Sequence, residues 1–191
     1  MAIGSESAWW RTGVALVLVA GVCVIGACSE MPERADDLAS GEAFIDAFYS
    51  FEPQSLDRLV AAAEDGHRAL YYQAWAKAAN YDIKTRRQCV AQGGAVSCAI
   101  TVTDDFGRTL GYTATDTFTL TMDRGRIVGV AFEADDPPIF DKLFEWIGER
   151  QPEVLIGPCK DAFAGGATPG ECARAVVAAA REFVKTQQDA L

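Results

Sequence analysis

The sequence is poor in the residues on which many catalytic and metal sites depend. Its 191 residues include a single histidine, His67, and none of the motifs C-x-x-C, G-x-S-x-G or H-E-x-x-H. Basic residues are also few, since 17 lysines and arginines stand against 27 aspartates and glutamates, for a formal net charge of -10. Such a chain does not attract nucleic-acid phosphates or anionic lipid headgroups. We therefore expect no nucleic-acid partner, no metal site and no cofactor.

Long hydrophobic runs are also absent, apart from one near the N-terminus. Residues 13–27 form an apolar run of about 15 residues, shorter than the roughly 20 that a membrane-spanning helix requires. Arg11 precedes this run, and a basic residue followed by a short apolar segment is typical of a secretory signal peptide. A single-pass anchor would require Trp9 and Trp10 to extend the run. The pattern favours a signal peptide over residues 1–27.

The apolar run ends in Ile25-Gly26-Ala27-Cys28. This sequence resembles the lipobox of bacterial lipoproteins, in which the chain is cleaved before the cysteine and a diacylglyceryl group is attached to its thiol. The resemblance implies lipidation at Cys28 and attachment to the extracytoplasmic face of the cell membrane through the lipid anchor, because two or more acyl chains hold a protein durably. The alternative is a plain signal peptide with an incidental cysteine. Residues 28–39, which are polar and acidic, then predict a solvated tether.

Four cysteines follow the tether, and an even number outside the cytosol favours two disulfides. Gly93-Gly94 predicts a two-residue hairpin turn, which places Cys89 opposite Cys98 in a pair suited to a cross-strand disulfide. The other pair, Cys159 with Cys172, spans a loop rich in glycine and proline. We interpret this second bridge as a staple for the last helix.

The hydrophobic pattern changes from a helical period to a period of two and back again. Helices come first, an antiparallel sheet of about four strands follows, and further helices end the chain, which is an α+β layout. The predicted helices cover residues 41–51, a stretch from Pro53, 66–81, 139–153 and 171–185, and the longer predicted strands cover 95–103, 115–122 and 126–134.

This order of elements, with DTFTLTMDRGRIVGVAFEADD as two long strands about an acidic-Arg-Gly turn, resembles the SnoaL-like or nuclear-transport-factor-two-like superfamily over residues 40–150. The resemblance implies a curved sheet around a conical cavity that the N-terminal helices close. Residues 151–191 are then a disulfide-stapled helical extension. Members of the superfamily include isomerases, hydrolases, dehydratases, ligand binders and protein-interaction modules, so the fold alone does not give the function.

The pairing of the two long strands predicts which carboxylates face the cavity. Counting outward from a turn at Arg124-Gly125 places Asp116 opposite Glu133, on the same face as Phe118 and Leu120. Two neighbouring carboxylates can perturb each other's pKa and act as acid and base. A bulge near the turn would instead shift the register and turn both carboxylates toward solvent.

Three further side chains complete the candidate site. Some isomerases of the superfamily combine an acidic base with tyrosine and carboxylic-acid donors, which makes Tyr71 and Tyr112 candidate donors. Arg87 shares the face of Cys89 and is a candidate to hold an anion or pair with the acids. In the alternative interpretation, Tyr71 is a core residue and Arg87 an exposed strand charge.

Two functions remain open at this stage. The first, which we favour, is a binding module for a small apolar ligand or for a protein partner in the cell envelope. The second is a cofactor-independent isomerase, lyase or hydrolase. Asp116, Glu133 and Arg87 buried within mutual reach would favour catalysis. Apolar walls alone, formed by Phe118, Leu120, Tyr71 and Trp75, would favour binding, and a cavity filled by its own side chains would leave only surface contacts.

Overall fold

The structure, a computed structural model, describes residues 30–189, so the predicted signal peptide and Cys28 lie outside the described residues. The fold is α+β, with helices packed on an open antiparallel sheet of five strands. The elements are α1 (Glu30–Tyr49), α2 (Pro53–Val60), α3 (Gly66–Ala78), β1 (Asp82–Arg86), β2 (Val90–Gln92), β3 (Ala95–Thr103), α4 (Asp105–Leu110), β4 (Ala114–Asp123), β5 (Arg126–Ala134), α5 (Pro138–Arg150), α6 (Pro152–Ile156), a 3₁₀ turn (Ala162–Ala164) and α7 (Pro169–Gln188).

Residues 30–39 were predicted to be a solvated tether, but in the structure they are helical and form the first half of α1. The turn between β4 and β5 contacts α1 here: the Gly125 N–H donates to the Asp37 carboxylate at 3.1 Å, and the hydroxyl of Ser40, the next residue after this half, donates to the Gly125 carbonyl at 2.6 Å. A helix that is already packed further along extends easily toward its N-terminus, since each added residue needs no new nucleation.

The main hydrophobic core lies between α1 and the sheet. Phe44 and Phe48, one helical turn apart in α1, are fully buried against Phe118 of β4. Phe118 also contacts Phe132 of β5, with ring centroids 5.0 Å apart. This aromatic cluster fixes α1 on the inner face of the sheet.

The sheet has the order β1-β3-β4-β5, and the short β2 pairs with β3 as well. β1 and β2 therefore share one edge of β3. The pairing of β2 confirms the predicted hairpin, since Gln92 is opposite Ala95 and both turn glycines have a positive φ. The sequence did not predict β1, because all five of its residues are exposed and show no alternation.

Both predicted disulfides are present, Cys89–Cys98 in the hairpin and Cys159–Cys172 in the C-terminal region. The C-terminal region packs as a second hydrophobic cluster, in which α7 buries one face against α3, α4 and α5. The predicted helix 139–153 is divided in two, because Gln151 leaves the helical conformation and Pro152 begins α6. Within residues 30–189, none of the helices combines the length and apolar character needed to cross a bilayer.

The staple at the start of α7 gives a stability prediction. Replacing Cys159 and Cys172 together with alanine opens a loop whose ends are 13 residues apart, and we expect a loss of about 3 kcal/mol in the free energy of unfolding. Urea unfolding of oxidised wild type and variant measures the difference. The reduced forms of wild type and variant, in which Cys89–Cys98 is open in both, are the control and should have similar midpoints. Equal midpoints for the two oxidised forms would contradict the assigned role.

Candidate functional site

The predicted register between β4 and β5 is wrong beyond the turn. A β-bulge between Thr121 and Met122 inserts an extra residue, Val128, into β5, so Asp116 lies opposite Ala134 and Glu133 lies opposite Thr117. The bulge changes only the side on which β5 residues point, because β4 remains fixed by its pairing with β3. Asp116 therefore stays buried at 2% exposure while Glu133 is exposed.

A cavity of about 340 Å³ opens between the sheet, α3, α4, α5 and the C-terminal region. This volume is at the lower end of the roughly 300–1,000 Å³ that is typical of small-molecule sites. Of the four predicted apolar walls, Tyr71 and Trp75 line the cavity, whereas Phe118 and Leu120 lie in the core. Aromatic side chains dominate the lining, among them Tyr71, Trp75, Tyr81, Phe106, Tyr112 and Phe132.

Asp116 lies in the wall of this cavity, near the start of β4. The Tyr49 hydroxyl of α1 donates a hydrogen bond to its Oδ2 at 2.8 Å. Burial raises the pKa of Asp116 to about 7, the Tyr49 hydrogen bond opposes that shift, and the charges of Asp136 and Asp135 add to it. Burial, followed by the Asp116 charge, in turn raises the pKa of Tyr49.

Asp104 is a second buried carboxylate of the cavity and was not predicted from the sequence. It precedes α4, and its Oδ1 accepts the Gly107 N–H at 2.6 Å as an N-cap. Gly107 permits this close contact, because a Cβ there would lie 2.9 Å from Oδ1. Burial raises the pKa of Asp104 to about 7 although the Gly107 N–H opposes the shift. Its other oxygen, Oδ2, is buried without a hydrogen-bond partner among the described residues.

Both predicted tyrosines line the cavity. Tyr71 is 5% exposed, and its hydroxyl is buried without a hydrogen-bond partner within residues 30–189. The Tyr112 hydroxyl is also buried and lacks a hydrogen bond of good geometry in that part of the chain. Burial raises the pKa of both tyrosines, and the charge of Asp136 adds to the shift at Tyr112. The cavity thus presents polar atoms that the described residues leave unsatisfied.

The other predicted residues lie elsewhere. Arg87 is exposed in the connection between β1 and β2 and is not part of the cavity lining. Its neighbour Arg86 forms ion pairs with Glu42 and Asp46 on the outside of α1. The pattern of the sequence did not distinguish these exposed arginines from a cavity residue, because β1, which ends at Arg86, has no buried face.

The acids of the cavity outnumber its bases. Arg68, which donates a long hydrogen bond to the Tyr72 hydroxyl at 3.5 Å, is the basic residue of the lining. Asp104 and Asp116 lie deep, whereas Glu133 and Asp136 are exposed at the mouth. Among the residues that the structure describes, no group of three or more histidines, cysteines or acids is placed to hold a metal ion. No family model and no curated protein matches the chain.

Proposed function

We propose that this protein is a membrane-anchored extracytoplasmic lipoprotein that binds a small, largely apolar ligand in its cavity. The aromatic-lined cavity of about 340 Å³ is the observation that carries the proposal. A fold that needed the space only for its own core would fill it, since protein interiors are close-packed. Aromatic walls with a few placed polar groups are typical of small-molecule sites.

The location rests on the N-terminal sequence. The apolar run that ends in Ile25-Gly26-Ala27-Cys28 supports cleavage before Cys28 and lipidation of its thiol. Two disulfides agree with an oxidising compartment. The resemblance to the SnoaL-like superfamily supports a cavity between the sheet and the helices, and a ligand binder is among the functions that this fold serves.

A second candidate function is a cofactor-independent isomerase, lyase or hydrolase. The buried pair Asp104 and Asp116 favours it, because a carboxyl whose pKa lies near 7 can either donate or accept a proton at neutral pH. We rank it second because each acid already accepts a hydrogen bond within the protein. Asp104 caps α4 by accepting the Gly107 N–H, and Asp116 accepts a hydrogen bond from the Tyr49 hydroxyl. Asp116→Asn tested against any compound recovered from the cavity, with turnover as the readout, separates an enzyme from a binder.

The test of the binding function uses lipidated protein purified from membranes of its own host. Native mass spectrometry is expected to show a bound small molecule, which solvent extraction then identifies. Ala134→Trp, at a lining position of β5, should remove that molecule by filling the cavity. Ala131→Trp, on the exposed side of the same strand, is the matched control and should retain it.

Two results would count against the proposal. A folded protein that carries no small molecule, or one whose bound molecule survives Ala134→Trp, would overturn binding in the cavity. The same spectra report the mass of the N-terminal residue, so a chain without acyl groups on Cys28 would overturn the lipid anchor independently.

A further inference from the structure

The charge of the cavity restricts the class of ligand it can take. Four carboxylates line it, at Asp104, Asp116, Glu133 and Asp136, against the single guanidinium of Arg68. An anionic ligand would be repelled by these acids, and burial strengthens the repulsion because the interior screens charges poorly. A ligand with a positive charge would be attracted by the same groups and by the faces of the aromatic rings.

Unsatisfied atoms show what the ligand must supply. Asp104 is 4% exposed, and its Oδ2 has no hydrogen-bond partner in the described chain. Tyr71 is 5% exposed, and its hydroxyl also has no hydrogen-bond partner there. A buried polar group without a partner costs free energy. A carboxylate oxygen accepts hydrogen bonds, so the atom that satisfies Oδ2 of an ionised Asp104 must carry a hydrogen.

We infer that the cavity binds a small organic amine in its protonated form, with an ammonium N–H donated to Asp104 and the apolar part of the amine among the aromatic rings. The inference rests on the proposed ligand-binding function and narrows it to one ligand class. An ammonium group supplies the N–H that Oδ2 lacks, and the Tyr71 hydroxyl can accept a second one. A quaternary ammonium has no N–H and would leave Oδ2 unsatisfied.

Binding of such a cation is linked to the ionisation of the buried acids. Burial raises the pKa of Asp104 and Asp116 to about 7, so an amine that pairs with the ionised form binds more tightly at pH 8 than at pH 6. The amine itself stays protonated over this range, since alkylammonium groups titrate near 10. The titratable and charged groups that act on these two acids are Tyr49 of α1, Tyr81 before β1, Arg108 of α4, Tyr112 before β4, and Asp135 and Asp136 after β5.

Isothermal titration calorimetry tests the inference with three probes that share a phenyl ring: 2-phenylethylamine, 2-phenylethanol and phenylacetate. The full-length, lipidated protein is used in a maltoside detergent and in phosphate buffer, which contains no competing amine. We expect the amine to bind about tenfold more tightly than the alcohol at pH 8, as a charge-assisted hydrogen bond predicts. We expect no detectable binding of phenylacetate, and a smaller preference for the amine at pH 6.

Two variants identify the group responsible. Asp104→Asn keeps an oxygen for the Gly107 N–H and should reduce amine affinity about tenfold and alcohol affinity by less, so that the preference for the amine is largely lost. Asp116→Asn should also lower the affinity for the amine. Asp57→Asn, on the exposed side of α2, removes the same charge outside the cavity and should behave as wild type.

The outcomes separate this inference from the proposed function. Equal affinities for amine and alcohol, or an Asp104→Asn variant that retains the preference, would overturn the amine while leaving an apolar ligand site. If none of the three probes binds but the protein carries a different extractable molecule, the amine is likewise overturned and the ligand site is retained. Absence of both probe binding and any extractable molecule would overturn the inference and the proposed function together.

Discussion

Asp104→Asn and Asp116→Asn are each expected to stabilise the ligand-free protein at pH 8. Both carboxyls have a folded-state pKa of about 7, against an ordinary value of 3.8, so the folded state binds these protons more tightly than the unfolded chain does. Stability therefore falls as the pH rises from about 4 to about 7 and stays low above that range. A neutral amide at either position removes the cost of a buried charge.

We expect a gain of about 1–3 kcal/mol at pH 8 for each variant, since three pKa units correspond to at most about 4 kcal/mol and the amide does not match every contact of the carboxyl. Near pH 5 the acids are protonated in the folded state, so much less of this gain should appear. Urea unfolding at pH 5 and pH 8 measures both effects. The variant Asp57→Asn, at an exposed position of α2, is the control and should change stability at pH 8 by less than about 0.5 kcal/mol.

The opposite result would be informative. If either variant lost stability at pH 8, the ionised carboxylate would have to be stabilised in the folded protein. That carboxylate would then not be a buried charge without a partner. The ionisation of Glu42 does not contribute to the difference in stability between pH 5 and pH 8. Its pKa is lowered, chiefly by the Cys89 N–H, so the stability it contributes is lost only as the pH falls below its ordinary value of 4.5.

Phe118→Ala is expected to cost about 3–5 kcal/mol in the free energy of unfolding, as is typical for a fully buried phenylalanine. Its ring is 0% exposed and lies 5.2 Å from Phe44, 4.8 Å from Phe48 and 5.0 Å from Phe132, between ring centroids. Removing it leaves a void at the point where α1, β4 and β5 meet. Equilibrium urea unfolding, followed by far-UV circular dichroism, gives the loss.

On the proposed binding function, the same substitution should also weaken ligand binding in the molecules that remain folded. Phe48 and Phe132 line the cavity and rest against Phe118, so their rings are free to shift when it is removed. Val90→Ala, at a position 62% exposed on β2, is the control and should change stability by less than about 0.5 kcal/mol. A loss below 1 kcal/mol for Phe118→Ala would contradict the central place of this cluster in the core.

Elements with a strong local pattern could be predicted from the sequence. The alternation along β3 and β4, the proline that begins α2 and the glycine turn beside Cys89 each follow from backbone chemistry that acts over a few residues. β1 could not be predicted, because its five residues are held by pairing with β3 and not by burial of one face. Its existence depends on a contact between segments far apart in the chain.

The candidate site was only partly predictable for the same reason. Asp116 follows from the alternation of β4, but its supposed partner Glu133 does not face it, since Val128 forms a bulge that no turn signal announces. Asp104 was missed because α4 has six residues, too few to show a helical period. The sequence does carry one local sign of Asp104, an aspartate three residues before Gly107, which is the spacing of an N-cap.

The contribution of the C-terminal region to the cavity has a consequence for biosynthesis. Ala162 and Cys172 are part of the wall, and a ribosome makes them after all of the helices and strands that form the rest of the site. A chain whose synthesis stops before α7 contains every strand of the sheet but lacks Cys172, so its cavity has no wall on this side. The bridge from Cys159 to Cys172 cannot form in such a chain either, so completion of the wall and closure of this disulfide both depend on the last helix.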